Sequence, residues 1–158
     1  MPPGVADAAL LVLKACRAVE LAMAGLYDTL AQIHAHDAAM ARLWRKTALE
    51  ESNHATQFSL LLDGLPESIA TAAVEATAIE ALHRAVENVV EEYRLRSPSV
   101  REALVAAIDF EESMDRIHAH QAVTFNDPRC HRMFLAMMAA DSGHVAKLRQ
   151  ALRQLGPA

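Results

Sequence analysis

Glu51 and His54 stand three residues apart inside an apolar run with helical spacing, and Asp141 and His144 repeat the arrangement further along the chain. Residues three apart on a helix leave the same face about one turn apart, so a carboxylate oxygen and an imidazole nitrogen can converge on one cation. With 8 His and 20 acidic residues in 158, chance places an acid three residues before a histidine about once. It happens four times, at Glu51/His54, Glu80/His83, Asp115/His118 and Asp141/His144. Solvated helix faces rich in both residue types could produce such an excess, so register with the buried stripes has to select among the four.

The elements that must hold these residues are helices. The sequence is 53% hydrophobic but 4% aromatic, and its wealth of Ala, Leu, Glu and Arg favours helix over sheet. Apolar residues spaced by three and four predict a first helix over 5–33 and a second, capped by Asp37, that ends at Gly64. A third is expected to open at Pro66-Glu67 and stop near Ser97-Pro98, some 30 residues or about 45 Å long. Ser99 and Glu102 read as a capping box for a fourth helix, with Leu104, Ile108, Met114 or Ile117, Ala122 and Phe125 inward. Asp127 and Pro128 open the last helix, which Gly156-Pro157 ends. The expectation is an all-α fold. Two antiparallel hairpins form a four-helix bundle, the long third helix carries the chain back along it, and residues 1–158 make a single domain.

Charge and cysteine usage narrow the function. A net charge of −5 without a basic run or aromatic-basic interleaving argues against nucleic acid, and no polybasic anchor or transmembrane span is present. Residues 8–13 are apolar, but Lys14 and Arg17 interrupt them and no basic segment precedes, so no signal peptide is expected. Cys16 and Cys130 stand alone, which excludes a Cys-x-x-Cys metal site and suits a reducing, cytoplasmic setting.

Register then favours two of the four pairs. A dimetal carboxylate site in a bundle takes one acid from each of two helices and an acid-x-x-His pair from each of the other two. Glu20 lies on the apolar stripe between Cys16, Met23 and Tyr27, 31 residues before Glu51; Glu111 lies with Leu104, Ile108 and Met114, 30 residues before Asp141. In antiparallel hairpins those matching separations bring both acids and both pairs to one level. An acid on an apolar stripe is costly unless paired or coordinated, and here it occurs twice in parallel. Glu20, Glu51, His54, Glu111, Asp141 and His144 are therefore the expected ligands. Glu80 and His83 share a charged, solvated face. Asp115 and His118 follow Glu111 by one and two turns, where a hydrogen-bonding role behind the ligands and plain structural polarity fit equally. Glu50 and Glu112 are expected to point about 100° away from the site. Tyr27, two turns from Glu20, could hydrogen-bond a ligand, carry redox chemistry or simply fill the core.

The segments Glu20 to Tyr27, Leu49 to His54, Ala107 to Glu111 and Ala140 to His144 together resemble the ferritin-like superfamily, and within it the rubrerythrin-like branch. The resemblance spans nearly the whole chain. It implies a four-helix bundle, often dimeric, with two irons between the helices. Glu20 and Glu111 would each bind one metal, Glu51 and Asp141 would bridge, and His54 and His144 would supply nitrogen. Asp141 stands where the family has Glu, Met114 where rubrerythrins commonly carry another Glu, and no four-cysteine rubredoxin module is present. Peroxide reduction would then require an electron donor from another protein.

The first functional expectation is a non-haem diiron protein that oxidises Fe(II) with peroxide or dioxygen, as a peroxidase or ferroxidase. The second is a module that holds zinc, manganese or a mixed pair without turnover. The third is a structural bundle with a polar interior.

Overall fold

The computed structural model describes residues 5–64, 69–72, 75–119 and 123–157, apart from the side chains of residues 5, 6, 64, 69–72, 118, 119, 123, 138 and 140–142. It contains α1 (Val5–Ile33), α2 (Ala38–Gly64), β1 (Ile69–Ala72), α3 (Ala76–Leu95), α4 (Val100–Ala119), β2 (Val123–Phe125) and α5 (Pro128–Gln154). The predicted boundaries hold where capping chemistry sets them. Asp37 Oδ1 accepts from the backbone N–H groups of Ala39 and Met40 at 3.1 and 3.0 Å, opening α2 one short turn after α1. Ser99 and Glu102 satisfy each other reciprocally at 2.8 and 3.2 Å, as a capping box should. Asp127 caps α5 through Arg129 N, with Pro128 at the first helical position.

Two expectations are corrected. The expected opening at Pro66-Glu67 lies outside the described residues, but residues 69–72 do not continue a helix, and residues 123–125 are not the end of one. They pair as an antiparallel two-stranded ladder with Ile69 opposite Phe125, and β1 packs against α1. Ile69 and Thr71 alternate with alanines in the first segment, and Val, Thr and Phe make up the second. Such residues favour strand once a partner is beside them, and only the tertiary fold supplies that partner. As a result α3 has 20 residues, about 30 Å, instead of some 30 residues.

α1 packs along α2 and α3, and α4 along α5. The two hairpins meet through side chains: Tyr27 of α1 reaches Glu111 of α4, and Phe58 of α2 meets Phe134 of α5 edge to face at 6.3 Å. The core holds Leu13, Met23, Leu26, Leu30, Trp44, Phe58, Leu61, Leu104, Phe134 and Leu148. Its buried polar members among the described residues are Glu20, His34, Thr47, Glu51, His54, Glu111 and His144. Among the described residues no helix is long and apolar enough to cross a membrane.

Candidate metal centre

Four helices each deliver buried donors to one place. Glu20 comes from α1, Glu51 and His54 from α2, Glu111 from α4 and His144 from α5, and none of the five is more than 6% exposed. They form two groups of three, Glu20/Glu51/His54 and Glu51/Glu111/His144, and in each group one donor atom per residue lies within 4.8 Å of the others. Glu51 belongs to both.

The distances show how the sharing works. Glu51 Oε2 lies 3.4 Å from His54 Nδ1, and Glu51 Oε1 lies 2.7 Å from His144 Nδ1. Each oxygen of one carboxylate thus faces a different imidazole. Glu20 Oε2 stands 3.6 Å from His54 Nδ1 and Glu111 Oε2 stands 3.6 Å from His144 Nδ1, so the two halves repeat each other. The imidazole rings are 5.6 Å apart and 27° from parallel. Donors about 2.1 Å from one ion lie about 3.0 Å apart at a right angle and about 3.4 Å apart at the tetrahedral angle. The observed separations bracket that range.

One pair of atoms separates a metal cradle from an ordinary buried ion pair. Glu51 Oε1 and His144 Nδ1 are fully buried and 2.7 Å apart, yet neither makes a hydrogen bond. They attract electrostatically, but the N–H direction misses the oxygen. Buried polar atoms are rarely left so, and two of them converging without alignment fit a shared third partner between them.

Electrostatics carry the same signature. Burial, with the charge of Glu51 adding to it, lifts Glu111 to about 7 against the opposing pull of His144 and Tyr27. Burial alone would depress His144, but Glu111 and Glu51 outweigh it and hold the imidazole at about 10. Burial also pushes Glu51 up; the close approach of Glu20, His144 and His54 overcomes it and keeps that carboxyl below the usual carboxylate range. Protons stand in for cations here, and a divalent ion would displace them.

Two neighbours orient this set. Tyr27, fully buried, donates its O–H to Glu111 Oε1. Burial and the surrounding carboxylates push its phenol well above the ordinary value, so it remains a donor. Glu50 corrects the sequence reading: it does not simply face solvent but places Oε2 3.0 Å from His144 Nε2, and Lys147 Nζ holds its two oxygens at 3.2 and 3.3 Å. A carboxylate on the outer nitrogen fixes the ring and leaves Nδ1 for the centre. Rotation on α2 alone turns Glu50 away from the centre, but α5 brings His144 and Lys147 to it.

Of the expected ligands, Glu20, Glu51, His54, Glu111 and His144 are brought together. Asp141 lies in α5 three residues before His144, and its side chain is outside the described residues, as is that of His118. Asp115 is half-buried on α4 and belongs to neither donor group. Glu80 is exposed and His83 pairs with Glu87 at 3.3 Å on the surface, as expected. Glu112 is also as expected in leaving the site, where it pairs with Arg149.

Comparison with family models, with curated proteins and with solved structures gives no match. What the residues define by themselves is a helical bundle with a buried carboxylate and imidazole cluster able to hold metal.

Proposed function

We propose that this chain is a ferritin-like, rubrerythrin-like diiron protein that reduces peroxide or dioxygen at the expense of Fe(II). The observation that carries the reading is the sharing of Glu51 by two three-donor groups. A carboxylate with one oxygen toward each imidazole is how one side chain serves two ions. Glu20 and His54 complete one position, and Glu111 and His144 the other. With Asp141, four carboxylates offset the charge of two divalent ions, which relieves the cost of burying them. When bound, such a pair supplies electrons and polarises an oxygen ligand.

The chain's own part is to hold and orient. Tyr27 fixes Glu111, and Glu50 fixes His144 with Lys147 behind it. Cys16 and Cys130 are both buried and form no disulfide; an external electron-donor protein is the proposed source of the electrons that restore Fe(II). We take the chain to work in the cytoplasm as a homodimer.

A zinc or manganese module without turnover is the second reading, and the three described donors at each position favour it to the extent that zinc takes the same nitrogen and oxygen set. One experiment separates them. The protein is purified without chelators or affinity metals, its metal content is measured, and the Fe(II)-loaded form is mixed anaerobically with peroxide. Two irons per chain with rapid oxidation supports the proposal. Inert zinc at the same stoichiometry supports the second reading, and a chain that binds no metal defeats both.

A further inference from the structure

His34 is the one buried imidazole outside the metal cluster among the described residues, and its two nitrogens are fully engaged. Trp44 Nε1 donates to His34 Nδ1 at 3.2 Å, and His34 Nε2 lies 3.1 Å from the carbonyl oxygen of Pro98. An indole N–H can only donate and a carbonyl can only accept, so the pair of contacts fixes the tautomer. Nδ1 carries a lone pair toward the indole proton, and Nε2–H points at Pro98. Trp44 is the only tryptophan in the chain and is fully buried. Its ring stacks on Tyr27 with centroids 5.8 Å apart and planes 13° from parallel, and the Tyr27 hydroxyl donates to Glu111. An unbroken string of contacts therefore runs from the metal cluster through two stacked rings to a base.

A buried indole needs a hydrogen-bond acceptor, and a backbone carbonyl would meet that need. An imidazole does more, because it can take the proton. If it does, the imidazolium keeps its Nε2–H···O bond to Pro98 and strengthens it by charge. No contact has to break for the proton to cross.

We propose that Trp44 is a redox-active tryptophan, oxidised by one electron through Tyr27 while its indole proton passes to His34 Nδ1. The inference rests on the oxidant chemistry proposed above. Reduction of hydrogen peroxide to two waters breaks the O–O bond and takes two electrons and two protons. Where a single iron going from Fe(II) to Fe(III) supplies one electron, Trp44 supplies the second. Its own proton stays on His34, and the two protons that enter water come from solvent. Return of one electron from a reduced carrier, with the proton from His34, restores the indole.

The proton half is tested by ultraviolet flash photoionisation of the full chain before iron is added, because light ejects the electron from a buried indole without a diffusing oxidant. The neutral indolyl radical should form directly, severalfold more slowly in D2O, while His34→Phe should leave the cation radical about a hundredfold longer-lived, the low end of what a positioned base is worth. An equally long-lived cation radical in the unaltered chain, or deprotonation with no solvent isotope effect, would overturn the assignment. The isotope effect decides even if His34→Phe does not fold. The electron half is tested by freezing protein loaded with no more than one Fe(II) per chain within milliseconds of adding peroxide, after measuring bound iron. An indolyl signal in the electron paramagnetic resonance spectrum, lost in Trp44→Phe, is expected. Iron bound and peroxide consumed with no indolyl signal overturns the proposal alone; no bound iron overturns the function reading and this electron route with it.

Discussion

Replacing Glu51 by Gln removes a charge and almost no volume, and it touches both halves of the centre at once. Because Oε1 and Oε2 serve different imidazoles, the variant should lose two ions, whereas Glu20→Gln and Glu111→Gln should each lose one. The magnitude can be read as heat stability. A ligand present at a hundred times its Kd stabilises the folded state by about 2.7 kcal/mol per site, so two sites give about 5 kcal/mol. For a chain of this length each kcal/mol moves Tm by about 2–4 °C, and metal should raise the wild type by about 10–20 °C. Glu20→Gln and Glu111→Gln should keep roughly half of that shift, and Glu51→Gln none. Differential scanning calorimetry with and without Fe(II) or Zn(II), beside elemental analysis, measures both quantities. If Glu51→Gln holds one ion at wild-type affinity, the two positions do not share Glu51 and the reasoning fails.

Further outcomes follow from the surrounding contacts. Glu50→Ala should leave helicity intact and weaken metal binding by about 10–100-fold, because His144 loses the carboxylate that fixes its ring; competition against a chromophoric chelator reads the change. Metal-free protein should lose stability as pH rises, and melting at several pH values checks it. Glu111, lifted to about 7 from an ordinary 4.5, loses its contribution between those values, and His144, lifted to about 10 from 6.5, loses its contribution across that higher window. Bound metal should flatten the profile and, near pH 7, release protons from His144 and in part from Glu111; titration calorimetry in buffers of different ionisation enthalpy counts them. Phe58→Ala should cost about 3–5 kcal/mol, since it empties an edge-to-face contact with Phe134 between the hairpins, and urea unfolding measures that loss.

Helix ends and buried acids were legible in the sequence because both are governed by local rules. Asp37, Ser99, Glu102 and Asp127 announce caps through side chains that bond their own backbone neighbours. Glu20, Glu51 and Glu111 announce themselves by standing on apolar stripes. What was not legible depends on a neighbour from elsewhere in the chain. Glu50 looked outward by rotation on α2, yet α5 brings His144 and Lys147 to it. Ile69 and Thr71 sat among alanines and read as helix until β2 supplied a strand to pair with. His34 carries no local signal of its role, and only the hairpin between α1 and α2 shows it to be the acceptor for Trp44.

The unequal ownership of the two donor groups sets an order of assembly. Glu20, Glu51 and His54 all belong to α1 and α2, which a short turn joins, so that position closes within one contiguous hairpin at small chain-entropy cost. Glu111 and His144 must wait for Glu51 to arrive from the other hairpin. A first ion would therefore reinforce a local unit, while a second would act as a crosslink between distant parts of the chain. Hydrogen exchange should show it: protection spreads over α1 and α2 with the first equivalent and reaches α4 and α5 only with the second.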